Sequence, residues 1–196
     1  MCEEALPSRS TTRSGRAQSY PCDWEEFGPP RAPEFLYCLN MSRSTQLTQA
    51  EFEALIADTS KRVEGDVVWS EDEDHSPTVE FKAKIDSAPG YALFVKGSFN
   101  AISHNISFTI FHSSAGRIYG LDLGKDHRNP NGQLIGEKHK HRWSEKYRDK
   151  DAYVPTDITA PATDPVALWG QFCEEAKMTH QGTMHKPIPV QIELIL

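Results

Sequence analysis

The chemistry of this chain is concentrated between residues 126 and 147. Asp126-His127-Arg128-Asn129-Pro130-Asn131-Gly132 is followed by His139-Lys140-His141-Arg142-Trp143, so three of the eight histidines fall in one short stretch. Imidazole titrates near neutrality, so such a group can take and return protons, or hold a metal in its neutral form. In an extended strand alternate side chains share a face. This spacing predicts His139, His141 and Trp143 on one side, with Lys138, Lys140 and Arg142 on the other.

Two chemistries fit those residues. In the first, His127, His139 and His141 work without metal on a phosphodiester. One neutral imidazole takes the proton of a ribose 2′-hydroxyl, an imidazolium protonates the leaving oxygen, and Arg128 or Lys140 stabilises the developing charge. Arg142 adds a further ligand-binding cation, and a base stacks on Trp143 or Tyr147. The expected partner is then RNA or another phosphate-bearing ligand, with no cofactor. In the second chemistry, His139 and His141 join His127 or Asp126 around zinc or a related ion, with an open position for water.

Charge favours the first. Residues 117 to 150 hold nine Lys/Arg against five Asp/Glu, a local +4 in a chain of net charge −7. A patch of that sign draws anions and repels a divalent ion. Two alternatives stand beside both chemistries. In one, the histidines only orient their loop and Trp143 is core. In the other, a non-enzymatic binding or regulatory protein of a mobile element or defence system uses the same residues to hold a protein partner.

The elements that position these residues follow from pattern. Thr48 and Glu51 have capping-box spacing, with Leu47 and Phe52 as a hydrophobic staple. Phe52, Leu55, Ile56, Thr59 and Val63 then predict a helix over about 49–63, ended by Gly65. Val79, Phe81, Ala83 and Ile85 alternate with polar residues in a strand, and 91–99, 106–110 and 117–123 read as further strands. Residues 124–136 are rich in turn formers and predict a loop, with Asn-Pro-Asn-Gly as its tight turn. Folding back, this loop would carry His127 and Arg128 to His139 and His141. Asp164 and Pro165 open a second helix, and Val190 to Leu196 suggests a last strand. The order predicts an α+β fold, an antiparallel meander of about five to seven strands with both helices on one side.

Residues 1–40 carry scattered prolines and no apolar periodicity, which predicts a disordered extension before a single domain over 41–196, with Met41 as the natural initiator. The four cysteines form no CxxC pair and are expected as free thiols. No apolar run reaches the length of a membrane helix and no signal peptide is present, so a cytoplasmic location is expected.

The run Gly120-Leu121-Asp122-Leu123-Gly124, His127-Arg128-Asn129-Pro130-Asn131-Gly132, His139-Lys140-His141, and the helix at 164–177 resemble a family of small bacterial and phage proteins known as a domain of unknown function. The resemblance spans most of residues 46–178. Asn131 stands where the family more often has Asp, and Lys140 where an apolar residue is common. The layout is also similar to small toxins of the TumE-like toxin–antitoxin class, which implies a ribonuclease or nucleotide-modifying activity.

Overall fold

The computed structural model describes residues 47–188. The predicted segments 1–40 and 190–196, and Met41, lie outside them. Helix α1 spans Gln49–Ala57. Its Thr48 hydroxyl accepts from the Glu51 backbone and the Glu51 carboxylate accepts from the Thr48 backbone at 2.8 Å, so two free donors of the first turn are satisfied.

The helix is shorter than its apolar spacing predicts. Asp58 turns out of it with ψ 122°, and its carboxylate accepts from the backbone and hydroxyl of Ser60 at 2.9 and 2.7 Å. The buried Lys61 ammonium then donates to the carbonyls of Leu55 at 2.9 Å, Ile56 at 3.2 Å and Asp58, serving the acceptors that the last turn leaves open. Val63, counted above as helical, belongs instead to strand β1 (Lys61–Glu64).

Seven strands form one antiparallel meander in chain order: β2 (Ser70–Glu71), β3 (Thr78–Ile85), β4 (Leu93–Asn100), β5 (Asn105–His112), β6 (Gly116–Arg128), β7 (Leu134–Arg142) and β8 (Ala152–Tyr153). Strand β9 (Met178–Gln181) was not foreseen. It pairs in parallel with β1, matching Val63 to His180. The α+β architecture is as the pattern predicts.

The two faces of the sheet differ in kind. One carries Phe81, Val95, Phe99, Ile106, Phe108, Ile110 and Leu121, all buried. Helix α2 (Pro165–Glu175), capped by Asp164 through Ala167 N at 3.1 Å, lies against this face. Its Trp169 meets Phe81 and Phe108 at 5.5 and 5.4 Å, and Phe172 meets Phe108 at 5.6 Å, in edge-on and tilted ring contacts that each add about 1 kcal/mol beyond area burial. Gly97 makes room for that cluster, since a Cβ there would lie 2.0 Å from the Phe81 ring. Helix α1 packs on the same side through Phe52, 5.6 Å from the Trp143 ring.

The opposite face is polar. It presents Lys82, Lys96, Ser98, Ser107, Thr109, Asp122, His139 and His141, as the strand registers require. Among the described residues no helix is long and apolar enough to cross a membrane.

Candidate functional site

The hairpin β6–β7 builds the site. The region predicted as a loop is mostly strand, because β6 continues to Arg128 and β7 begins at Leu134. Only Asn129 to Gln133 turns, closed by Asn129 N to Gln133 O at 2.9 Å and Gly132 N to Asn129 O at 2.8 Å. The buried Asn129 side chain also exchanges two hydrogen bonds with the backbone of Ala152, at 2.9 and 2.8 Å, which fastens the hairpin end to β8.

The ladder slips between Leu123 and His127, where three residues of β6 stand opposite one of β7. Gly124 makes this bulge possible. Its φ is +95°, and a Cβ would fall 2.3 Å from Asn105 Oδ1. Beyond the bulge His127 comes beside the two histidines of β7. The three ring centroids are 4.6, 4.9 and 5.1 Å apart, and one nitrogen from each ring lies within 4.8 Å of the other two.

Each ring is oriented by the main chain. His139 Nδ1 donates to Gly136 O at 2.9 Å, His141 Nδ1 to Asp149 O at 2.8 Å and His127 Nε2 to Lys150 O at 3.0 Å. A carbonyl only accepts, so each of these nitrogens carries the proton. The remaining nitrogens are His139 Nε2, His141 Nε2 and His127 Nδ1.

Asp122 stands among them. Its Oδ2 is 3.1 Å from His141 Nε2, 3.6 Å from His139 Nε2 and 3.4 Å from Arg117 Nη1. Burial by itself would raise the Asp122 carboxyl, but hydrogen bonds from His139, His141 and Ser107 outweigh it and hold the group far below the usual carboxylate range. Arg117 is held in turn by Asp149, Nε to Oδ2 at 2.8 Å.

A cavity of about 430 Å³ opens over this cluster. Ser98, Asn105, Ser107, Arg117, Lys125 and Asp126 line it with Asp122 and the three histidines. The predicted trio thus converges. The predicted ligand-binding residues do not line this cavity. Arg128 braces the turn through Nη1 to Gly132 O at 2.6 Å. Lys140 points to the helix side, buried between Asp157, at 2.8 Å, and Glu175. Arg142 pairs with Glu53 of α1 at 2.6 Å. Trp143 is 1% exposed and lies against Phe52, on the other side from the histidines with which it was predicted to share a face, because β7 ends at Arg142 and alternation ends with it. Tyr147 is half-buried with the Lys146 ammonium 4.6 Å from its ring centre.

Sequence reasoning missed Asp122 and Arg117. Asp122 left a signal, since an acid flanked by Leu121 and Leu123 in a strand must face away from the core those leucines enter. Arg117 left none.

Fold and site together define an α+β meander protein with a histidine–carboxylate cluster on its polar face. The chain belongs to a family of unknown function (DUF6978), whose model matches residues 47–178 and so contains every residue of the cluster. No curated protein and no solved structure matches it.

Proposed function

We infer that His127, His139, His141 and Asp122 hold a divalent transition-metal ion at the base of the cavity, and that the protein uses it on an anionic, phosphate-bearing substrate. The observation that carries this is orientation. Three carbonyls take one N–H from each ring, which leaves His139 Nε2, His141 Nε2 and His127 Nδ1 as the positions that can face a shared cation, with the Asp122 carboxylate 3.1 and 3.6 Å from His141 Nε2 and His139 Nε2. Without a metal, protons bridge those two Nε2 atoms to Asp122, and a divalent ion would take the protons' place.

The separations fit an ion. Distances of 3.1 and 3.6 Å from Asp122 Oδ2 to the two Nε2 atoms bracket the ligand–ligand edge of about 3.3 Å that a tetrahedral site with bonds near 2.0–2.1 Å requires. Carbonyl acceptors behind each imidazole are the usual supports of metal-bound histidine. Lys138, Lys140 and Arg142 do not add charge at the cluster, because Lys138 donates to Ile158 O and Lys140 and Arg142 pair with carboxylates across the sheet. The cations at the cavity are Arg117, paired with Asp122 and Asp149, and Lys125. An imidazole-rich set with one carboxylate suits zinc, iron, nickel or copper better than magnesium or calcium.

When bound, the ion would polarise a phosphoryl oxygen or acidify a water. The chain's own residues do the rest. Arg117 and Lys125 supply positive charge at the cavity wall, and Ser98, Asn105 and Ser107 supply hydrogen bonds that orient a polar substrate.

Elemental analysis of protein purified without chelator tests the reading. Near-stoichiometric metal is expected, lost in a His139→Ala, His141→Ala double variant that remains folded. Failure of zinc, manganese, iron(II), nickel and copper each to bind in titration would overturn it. Phosphodiesterase activity that survives chelation undiminished would instead assign acid–base work to the imidazoles alone, the ribonuclease-like alternative.

A further inference from the structure

We propose that the polar sheet face binds single-stranded nucleic acid, with a base packed at the Phe94–Phe111 pair and the phosphate backbone led by Arg117 toward the histidine cavity. This names the substrate class of the function proposed above and rests on that reading for the fate of the phosphate. The aromatic platform itself stands on separate residues.

Two phenylalanines are out of place on a polar face. Phe94 of β4 and Phe111 of β5 are in register, with ring centres 4.9 Å apart and planes 7° from parallel. Both are half-buried, although every other position on that face of β4 is Lys, Ser or Asn. Phe94 is flanked by the Lys82 ammonium, 4.2 Å from its ring centre, and by Phe111, which leaves the Arg117 side of Phe111 for a base. Aromatic rings on the central strands of an open sheet, with cations beside them, are a surface on which unpaired bases stack and phosphates are neutralised.

The platform leads to the cavity. Phe111 pairs in register with Arg117, which lines the cavity and reaches Asp122. The histidines of β7 are one strand further, two strand spacings or about 10 Å from β5. A dinucleotide covers that span. Lys84 and Lys96 flank the path, engaged with Asp86 and Glu80, and Lys84 is 80% exposed. Surface pairs of this kind contribute about 0–1 kcal/mol, so exchanging a carboxylate for a phosphate costs little.

Trp143 and Tyr147, the stacking residues expected from sequence, do not serve here. Trp143 is closed within the core and Tyr147 does not line the cavity.

The test is fluorescence anisotropy of a labelled oligo(U) strand, the matching DNA strand and a duplex, with the full chain. Single strands are expected to bind in preference to the duplex, about tenfold more weakly at 200 mM than at 50 mM salt. Phe94→Ala, Phe111→Ala is expected to weaken binding about tenfold without changing metal content. Lys84→Glu, at a side chain 80% exposed, should also weaken binding, which keeps the test decisive if the first variant unfolds. No single-strand binding below about 100 µM, a preference for duplex, or folded variants of both kinds that bind like the parent would overturn the proposal. Metal bound without oligonucleotide would sink the platform and leave the metal reading standing. Oligonucleotide bound without metal would do the reverse.

Discussion

Strand β7 places His139, Lys140 and His141 side by side, and the two faces of the sheet treat these neighbours in opposite ways. All three are buried. On the helix side the buried ammonium is paired with carboxylates that reach solvent. Lys140 sits between Asp157 and Glu175, and Tyr119 Oη donates to the same Glu175 at 2.5 Å. Burial pulls the Lys140 ammonium down while Asp157 resists, and burial pushes the Tyr119 phenol up. On the polar side one carboxylate, Asp122, stands against two imidazoles and a guanidinium, and all of them line a cavity. Burial of an ionisable group therefore does not mark a functional position by itself. What separates the faces is that the imidazoles and Asp122 line a cavity and Lys140 does not.

The sharpest way to break this contrast is Lys140→Met. It leaves half-buried Glu175 and exposed Asp157 without their counter-charge, and a loss of about 1–3 kcal/mol in urea unfolding is expected, with metal content intact in the fraction that stays folded. A stable variant with altered metal binding would mean that the helix-side cluster is part of the site. Next in size is Asp122→Asn, which keeps the shape and removes the charge. Zinc affinity measured against a chelating dye should fall about 10–100-fold, and the unfolding midpoint of metal-free protein should also fall, because the fold holds this carboxylate ionised through His139, His141 and Ser107. Unchanged affinity would remove the carboxylate from the ligand set. The smallest effect is expected for Arg142→Ala, whose exposed bond to Glu53 contributes less than about 1 kcal/mol and should leave metal and oligonucleotide binding as they were. A large fall in oligonucleotide affinity would restore Arg142 as a ligand contact.

Much of the frame was legible in the chain. The capping box at Thr48, the Asp164-Pro165 helix start and the alternation in Val79 to Ile85 are local patterns, and each local pattern produced its element. Where expectation failed, a distant partner had intervened. Thr59 and Val63 share helical spacing with Phe52, yet Lys61 closes the helix early and β9, more than a hundred residues on, draws Val63 into a strand. The loop at 124–136 became strand because β6 and β7 each supply the other's hydrogen bonds, which overrides a composition rich in turn formers.

For the candidate site, the sequence alone determined that His139 and His141 share a face and that Lys140 takes the other, since a strand's period of two is a property of the backbone. It also placed a tight turn at Asn129 to Gly132. Only the tertiary structure decided which of those faces the helices cover, and so which charges are consumed. It also decided that a bulge at Gly124 brings His127 beside His139 and His141. Packing one face of a sheet is a collective outcome of helices far away in the chain, and no local spacing encodes it.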